Sequence, residues 1–475
     1  MKKPLFLLLA TLIMTVAVWT YGHHSFTGIG RSDHTVILIC IDACRRDTFT
    51  HADEGGIADG LTPWSQKAYR LQNAWSASSW TVPAVGSLLT GRYPAVHGAG
   101  NFKTAIANVD NVLPSELSPA VTTIFERLSR VGYQTAAWVD TPWLSRVGLL
   151  RGIASVQQTE SKAIVPAVLR ALNERNWPKR SAIYLHLMDV HDAHRETPSE
   201  MREQLARYDA RLLADWRRIA PAGVCENASS DRCADFLHYA ATVRQTREEI
   251  ASLLNGLRAS GRLDHSTVIV VADHGEAFGE HAASPLLMSD PRLISGTGTG
   301  HGQALFEEIL DIPMYIWAGD GQGSALTTPA SLIDVAPIVT ELCGLKRPAT
   351  LPGLTLSELQ RAPQRTLFAS GVAYGPPQFA VRSGRWKRII TINPPVSYTF
   401  DLENDPDEEN PAGLPDVSRT LDVKLLEYTR RTPPQSATAH VEGPDLERLR
   451  SLGYLTGFTA PQTGQPKVVP AGPSR

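Results

Sequence analysis

Three runs of β-branched and other apolar residues limit this chain to a small number of folds. His34–Ile41 reads HTVILICI, residues 183–190 read IYLHLMDV, and residues 267–272 read TVIVVA. Apolar runs of this length are typical of strands that are buried on both faces of a parallel sheet. Segments with helical spacing, at residues 121–130 and 248–257, lie between these runs. The sequence therefore predicts an α/β fold with a mostly parallel central sheet flanked by helices.

Acidic and histidine side chains follow these runs, at the points where the predicted strands end. Asp42 follows the first run, and Asp273 and His274 follow the third. Ligands of open α/β sheets bind beyond the carboxyl ends of the strands, and carboxylate with imidazole suits zinc, manganese or calcium. Two plainer interpretations stay open, because Asp42 could cap the helix after it and Asp-His could form a solvated turn.

A hydroxyl-rich loop leads into a short predicted helix within residues 78–92. Pro83 opens this helix, Gly91 closes it, and Thr81 lies just before its first turn. Free backbone N–H groups and the positive end of the helix dipole would help to stabilise an alkoxide there. Thr81 is therefore either a nucleophile or an ordinary N-cap, a position that Ser and Thr often occupy.

Together these segments resemble the sulfatase-like branch of the alkaline phosphatase superfamily. The resemblance covers most of the chain and rests on the order and spacing of several blocks. They are ICIDACRRD around Asp42, TVPAVGSLLTGRYP from Thr81, ADHGE around Asp273, HGQALFEE from His301 with the following IPM, SLIDVAP at 331–337, AVRSGRWK at 380–387, YTFDLENDPD at 398–407 and LERLRSLGYL at 446–455. The resemblance implies an alkaline phosphatase/sulfatase-like fold and a hydrolase acting on phosphoric or sulfuric esters.

The departures from the sulfatase pattern bear on the mechanism. Where sulfatases carry Cys or Ser followed by a supporting Arg, this chain has Thr81 and Val85. Threonine cannot become formylglycine by the route used for cysteine or serine, so a classical sulfatase mechanism is not expected. The paired aspartates that follow the first strand in the family are reduced to Asp42 and Ala43, and His274 stands where Asn is often found.

Asp42, Thr81, Asp273 and His274 resemble the metal-binding set of superfamily members that use threonine directly. Those members are phosphoryl-transfer enzymes, namely nucleotide pyrophosphatase/phosphodiesterases, phosphoethanolamine transferases and lipoteichoic acid synthases. The resemblance implies that these four residues bind a divalent metal ion, with zinc or manganese favoured over calcium. Coordination to a dication lowers the pKa of a threonine hydroxyl and orients it for in-line attack.

Three further residues are assigned catalytic roles by the same resemblance. His191 matches a histidine that contacts the transferred group, and His301 stands where the family presents Lys or His to the oxyanion. Arg45 falls where related sequences place an Arg near the anion, and a guanidinium suits a tetrahedral oxyanion. A surface position is the alternative for both histidines. His194 and His281 are interpreted as surface histidines.

The two ends of the chain differ from its middle. Two lysines precede an uncharged apolar stretch at residues 4–21, which predicts export to the periplasm or beyond. A retained anchor in the inner membrane is favoured over cleavage, since no clean cleavage site follows. After residue 363, short strands and turns predict a small antiparallel C-terminal subdomain. The predicted divisions are a signal peptide or membrane anchor at 1–24, a sulfatase-like catalytic domain at 33–362, the C-terminal subdomain at 363–457 and a disordered tail at 458–475.

The cysteines agree with an oxidising compartment. Cys225 and Cys233 bracket a polar loop and are predicted to form a disulfide. Cys40 and Cys343 are interpreted as buried apolar residues, and Cys44 has no assigned role.

The leading hypothesis is an exported, metal-dependent hydrolase or transferase of phosphate esters with Thr81 as nucleophile. Its expected partner is an anionic ester substrate, such as an envelope glycan or lipid; a net charge of −2 gives no reason to expect nucleic acid. The alternatives are a sulfuric ester hydrolase without formylglycine and a catalytically inactive sulfatase-like binding protein. The long segment at 281–300 is either a lid that meets an apolar substrate through exposed Leu286, Leu287 and Met288, or a plain surface loop.

Overall fold

A computed structural model describes residues 33–100 and 115–430, apart from residues 142, 175, 287–298, 320, 363, 374 and 393–394. Its main feature is a sheet of eight strands. In chain order the strands are β1 (His34–Ile41), β2 (Tyr69–Leu71), β3 (Gln134–Val139), β4 (Ser155–Gln158), β5 (Arg180–Leu187), β6 (Ser266–Ala272), β7 (Met314–Ala318) and β8 (Ala325–Leu326).

The order of strands across this sheet is β8, β2, β7, β6, β1, β5, β3, β4. β1 lies between β6 and β5 and is parallel to both. β7 is antiparallel to its two neighbours, and the remaining pairs are parallel. Ile41 is in register with Leu187 and with Ala272, so three central strands end at one level. The predicted α/β fold with a mostly parallel sheet is confirmed.

The apolar runs form the centre of the sheet. Every residue of β1 and β6 is buried, and each Val or Ile buried there stabilises the fold by about 1.5–3 kcal/mol. The prediction for the second run was wrong at its end, because β5 stops at Leu187 and Asp189–Asp192 forms a short helix. The Ser161 hydroxyl accepts a hydrogen bond from the backbone N–H of Met188 and donates one to Asp189, which turns the chain out of the sheet.

Helices of varied length pack around the strands. In chain order those of the described residues are α1 (Arg46–Thr50), α2 (Thr62–Ser65), α3 (Thr81–Thr90), α4 (Pro94–His97), α5 (Ile124–Arg130), α6 (Trp143–Arg146), α7 (Ser161–Asn173), α8 (Asp189–Asp192), α9 (Pro198–Leu205), α10 (Ala210–Arg217), α11 (Asp231–Ala259), α12 (Glu307–Leu310), α13 (Val335–Leu342), α14 (Leu356–Leu359) and α15 (Pro415–Thr429). The predicted helix at 121–130 begins at Ile124, because Thr123 and Glu126 form a capping box. The helical pattern at 248–257 belongs to the long helix α11.

A second, antiparallel sheet follows the first. Its strands are β9 (Thr366–Ser370), β10 (Gln378–Ser383), β11 (Trp386–Thr391) and β12 (Ser397–Asp401), paired in chain order. Leu421 and Leu425 of α15 pack with Val381 against this sheet. The predicted small antiparallel C-terminal sheet is confirmed, while the domain boundaries at residues 362, 363 and 457 stay predictions. Two short strand pairs complete the fold, Ala74–Trp75 with Ala330–Ser331 and Ala277–Phe278 with Thr299–Gly300.

Several predictions fall outside the described residues. They concern the N-terminal segment at 1–24, the block at 446–455, the tail at 458–475, and Leu287 and Met288. Within the described ranges, no helix has both the length and the apolar character needed to cross a membrane. The predicted exposure of Leu286 was wrong, since this side chain is buried in a cluster with Leu305 and Phe306.

The predicted disulfide between Cys225 and Cys233 is confirmed. It lies at the start of α11, where Cys233 is buried. The three other cysteines are buried and carry free thiols, as predicted for Cys40 and Cys343; Cys44 is buried as well.

Candidate active site

Three side chains converge beyond the carboxyl ends of β1 and β6. Asp42 follows β1, and Asp273 and His274 follow β6, so the parallel register sets them side by side. One ligand atom of each lies within 4.8 Å of those of the others, and all three residues are buried. We call Asp42, Asp273 and His274 the metal group. The sequence-based prediction that these residues meet is confirmed, whereas their binding of a metal stays a prediction.

The hydrogen bonds of the metal group leave lone pairs that point toward one another. His274 Nδ1 donates to the carbonyl of Gly275 at 2.9 Å, which leaves Nε2 as an acceptor 3.5 Å from Asp42 Oδ1 and 3.5 Å from Asp273 Oδ2. Within the described residues, neither of these carboxylate oxygens accepts a hydrogen bond. Buried acceptors that face each other need a shared positive charge, so this donor set fits a divalent cation.

The pKa values of the metal group support the same interpretation. Burial lowers the pKa of His274 to about 3, so its imidazole is neutral, as a metal ligand must be. Burial and the charge of Asp42 raise the pKa of Asp273 well above its ordinary value. Burial alone would raise the pKa of Asp42 too, but His191 and a hydrogen bond from His186 outweigh it and lower this pKa.

Thr81 is the first residue of α3 and lies against the metal group. Its hydroxyl is 3.2 Å from Asp42 Oδ2, to which it donates, and 3.4 Å from His274 Nε2. The N-cap of α3 is Trp80 and makes no side-chain capping bond, so the alternative of Thr81 as a cap is wrong. Val85, in the place of the family's supporting Arg, is fully buried in the same helix.

His186 on β5 fixes Asp42 and was not among the residues predicted from the sequence. His186 Nε2 donates to Asp42 Oδ2 at 3.2 Å, and the hydroxyl of Tyr184 donates to His186 Nδ1 at 2.8 Å. The two side chains share one face of the strand because they are two residues apart. The sequence signal that could have identified His186 is its place as a histidine inside an otherwise apolar strand.

His301 lies beside the metal group and is hydrogen-bonded to Glu276. Unlike His301, Glu276 was not predicted from the sequence as a site residue. The His301 Nδ1 to Glu276 Oε2 distance is 3.0 Å, and the His301 ring centroid is 4.3 Å from that of His274. Burial lowers the pKa of His301, but the charge of Glu276 outweighs this effect and raises it. Burial alone would raise the pKa of Glu276, yet His301 lowers it to about 2. Glu276 ends the ADHGE block, so its place in that motif was a signal.

His191 and His194 extend this histidine cluster. The His191 ring centroid is 5.0 Å from that of His301, and its Nδ1 is 3.1 Å from Asp192. His194 is half-buried, with its Nδ1 2.8 Å from Asp235 and its Nε2 3.8 Å from Glu276. Burial lowers the pKa of His194, but Asp235 outweighs this effect and raises the value to about 9.

Two other residues of interest, His281 and Arg45, make their side-chain contacts outside the metal group. His281 stacks on Phe306 with ring centroids 3.7 Å apart and bonds to Glu308. The guanidinium of Arg45 is held by Asp47 at 2.6 Å and by Glu280 at 2.5 Å. The carboxylates of Asp47 and Glu280 already balance the positive charge of Arg45. Its proposed contact with a substrate anion therefore stays a prediction.

Comparisons with known proteins agree with this geometry. A sequence model described as Sulfatase matches residues 34–345 of the chain. The uncharacterized sulfatase YidJ of Escherichia coli is 31% identical over 106 residues, which are 22% of this chain and 18% of that protein. Arylsulfatase K of Bos taurus is 24% identical over 220 residues, which are 42% of this chain and 38% of that protein. The alignments thus span less than half the length of these curated relatives.

Solved structures share the fold over almost their whole length. One was determined in complex with its substrate D-glucosamine-2-N,6-O-disulfate; its TM-score is 0.59 at 17% identity, covering 84% of this chain and 98% of that one. The phosphonate monoester hydrolase of Agrobacterium radiobacter has a TM-score of 0.58 at 15% identity, covering 85% and 97%. Identities this low establish the common fold alone.

Proposed function

The chain belongs to the sulfatase family, and we propose that it is a metal-dependent hydrolase or transferase of phosphate esters with Thr81 as its nucleophile. One observation carries this proposal. The Thr81 hydroxyl is buried and lies 3.2 Å from Asp42 Oδ2 and 3.4 Å from His274 Nε2, among the side chains that would hold a cation. A hydroxyl in that position is placed to attack a substrate bound at the same site.

The metal group would hold the cation, with Thr81 Oγ1 beside it. Two carboxylates and one neutral imidazole favour zinc or manganese over calcium, which prefers oxygen ligands alone. A bound dication lowers the pKa of an adjacent hydroxyl and offsets the negative charge of a phosphate ester.

Different side chains around the site would carry out different steps of the reaction. Thr81 would pass its hydroxyl proton to Asp42 Oδ2, to which it donates. Its Oγ1 would attack phosphorus while the bond from phosphorus to the leaving oxygen breaks, giving a phosphothreonine and an alcohol. His301 and His191 are placed to supply the proton that the leaving oxygen takes up, and Glu276 orients the His301 ring. Water, or a second alcohol in a transferase, would then attack phosphorus and release Thr81.

Sulfate esters are the second candidate substrate. This alternative is favoured by the family itself, because arylsulfatase K and a structure bound to a disulfated glucosamine are among the similar proteins. Thr81 and the buried Val85 count against a formylglycine mechanism, since the first cannot be converted and the second cannot support the converted group. A purely binding role is disfavoured because Thr81 and the metal group retain all four residues of the predicted set.

We further propose that the protein is exported and acts on an anionic envelope glycan or lipid. The charge-free apolar stretch at residues 4–21 supports export, and the disulfide between Cys225 and Cys233 suits an oxidising compartment. A glycan substrate is suggested by the disulfated glucosamine bound to a protein of the same fold.

The test is an assay of the purified protein, loaded with zinc or manganese, against aryl phosphate monoester, phosphodiester and aryl sulfate. Thr81→Ala should lose at least about a thousandfold in kcat on the phosphate substrate, since the nucleophile is removed. Thr81→Ser is the matched control, because it retains a hydroxyl and should retain part of the activity.

Three outcomes separate the alternatives. Phosphate ester cleavage that disappears only in Thr81→Ala, together with a phosphothreonine trapped on Thr81, would support the proposal. Activity confined to the aryl sulfate would replace it with the second candidate. Equal activity of Thr81→Ala and the unchanged protein would exclude Thr81 as nucleophile.

A further inference from the structure

The turn after β1 has an unusual backbone conformation. Ala43 has a φ of 58° and is fully buried. A residue with a Cβ pays a steric penalty in this left-handed region, and such residues persist where surrounding contacts hold them. Ala43 also follows Asp42 directly, so the chain turns immediately after this carboxylate.

Tyr239 of the long helix α11 makes the contacts that hold this turn. Its hydroxyl donates to the carbonyl of Ala43 at 2.8 Å and accepts from the backbone N–H of Arg45 at 2.8 Å. The Tyr239 ring is fully buried, with its centroid 5.1 Å from that of Phe278 and 5.7 Å from that of His194. One hydroxyl thus bridges the carbonyl of the strained residue and the backbone N–H two residues later, across Cys44.

The conformation of Ala43 has a direct consequence for the metal group. Its backbone N–H donates to Asp273 Oδ1 at 3.2 Å, beside the N–H of His274 at 2.9 Å. With Oδ1 engaged by two donors, Oδ2 is the oxygen left to face Asp42 and His274. The left-handed turn therefore ties the backbone next to Asp42 to the orientation of the Asp273 carboxylate.

We propose that Tyr239 is a positioning residue for metal binding, which holds Ala43 left-handed so that Asp42 and Asp273 present their free oxygens to one cation. The inference rests on the proposed function only in so far as the metal group binds a divalent cation. It does not depend on which ester is the substrate.

The experiment is a calorimetric titration of zinc and of manganese into the whole protein without substrate. Tyr239→Phe keeps the ring and removes the bridging hydroxyl, and we expect metal affinity to fall 10- to 100-fold, as for other residues that orient metal ligands. Tyr315→Phe is the matched control. Tyr315 lies on β7, its buried hydroxyl donates to Asp53 rather than to the turn after β1, and its removal should leave metal affinity unchanged.

A second substitution distinguishes holding the turn from general packing. Glycine adopts positive φ without a steric penalty, so Ala43→Gly should recover most of the affinity lost in Tyr239→Phe. The double variant also serves if Tyr239→Phe alone fails to fold. Recovery in the double variant would support the proposal.

The contrary results are distinct. Metal affinity of Tyr239→Phe equal to that of the unchanged protein would overturn the role of Tyr239, whatever the reaction. If Tyr315→Phe lost as much metal affinity as Tyr239→Phe, or if adding Ala43→Gly restored none of it, Tyr239 would act only through packing. No metal binding by the unchanged protein would overturn this inference and the proposed metal dependence together, whereas inactivity on phosphate esters alone would leave the inference standing.

Discussion

At the scale of single residues, Asp42 and Asp273 are placed side by side at a cost to the folded protein. Both are buried, and each has one oxygen that accepts no hydrogen bond within the described residues. Burial and the charge of Asp42 raise the pKa of Asp273, so the pair repels itself when both groups are ionised. Sites of this kind exchange stability for function, and a cation would relieve the repulsion.

Asp273→Asn should therefore stabilise the metal-free protein. The amide oxygen can still accept from the N–H groups of Ala43 and His274, while one buried negative charge is removed. With a chelator present to keep both proteins metal-free, we expect the free energy of unfolding in urea to be about 1–2 kcal/mol higher for the variant than for the unchanged protein. Added zinc should stabilise the unchanged protein but not the variant.

The matched control is Asp235→Asn. Asp235 bonds to His194 outside the metal group, so its substitution should not raise stability. A metal-free Asp273→Asn protein that is less stable than the unchanged one would contradict the idea of opposed carboxylates.

At the scale of secondary structure elements, the helix that carries Thr81 is anchored by a buried histidine. His97, at the end of α4, has Nε2 3.0 Å from the carbonyl of Pro83 and 3.1 Å from the hydroxyl of Ser87, and its Nδ1 accepts from the N–H of Ala99 at 3.1 Å. Gly86 leaves room for this ring, since a Cβ there would lie 2.6 Å from His97 Cε1. α3 and α4 are thus joined by one neutral imidazole.

This imidazole predicts an acid sensitivity. Burial lowers the pKa of His97 to about 3 from an unfolded value near 6.5, so the unfolded chain binds more protons between these limits. The folded protein holds His97 neutral, so protonation of this residue favours the unfolded chain. Its contribution to the free energy of unfolding is therefore fully present above pH 6.5 and is lost as pH falls toward 3. Between pH 7 and pH 5 the loss from this group is about 2 kcal/mol.

His97→Gln should lower stability at pH 7 but reduce its decline toward pH 5 by about that amount, as measured by urea unfolding at both values. His281→Gln is the control of opposite sign. Glu308 raises the pKa of His281 to about 9 against the effect of burial, so its contribution is lost as pH rises rather than as it falls. An unchanged decline in His97→Gln would contradict the assignment.

The elements show which parts of the site the sequence could predict. Asp42, Asp273 and His274 were predictable because each follows an apolar run, and parallel strands bring their carboxyl ends together. The partners of these residues were not predictable in the same way. Tyr239 reaches Ala43 across 196 positions from the middle of a helix, where its spacing is that of an ordinary core residue.

At the scale of the whole molecule, a buried ion cluster joins the C-terminal sheet to the segment beneath the site. Lys387 of β11 is fully buried and lies 2.8 Å from Glu307 of α12 and 2.9 Å from Glu408. Its ammonium is 5.2 Å from the ring centroid of Trp75, whose Nε1 donates to Glu307. The next residue, Ser76, donates to the backbone carbonyl of Asp273 at 2.5 Å. The antiparallel sheet is therefore connected to the metal group through Lys387, Glu307, Trp75 and Ser76.

Lys387→Met should destabilise the protein by about 3–5 kcal/mol, because it removes the ammonium that the carboxylates of Glu307 and Glu408 share and leaves Glu307 only its longer ion pair with Arg382 at 3.5 Å. Burial already raises the pKa of Glu408 to about 7 despite Lys387, so this carboxyl would take up a proton in the variant. Adding Glu307→Gln and Glu408→Gln removes both stranded charges, and the triple variant should regain most of the lost stability in urea unfolding. A triple variant as unstable as Lys387→Met would show that the lysine acts through its packing on Trp75. Recovery of the free energy of unfolding in the triple variant would show instead that charge balance attaches the C-terminal sheet to the catalytic core.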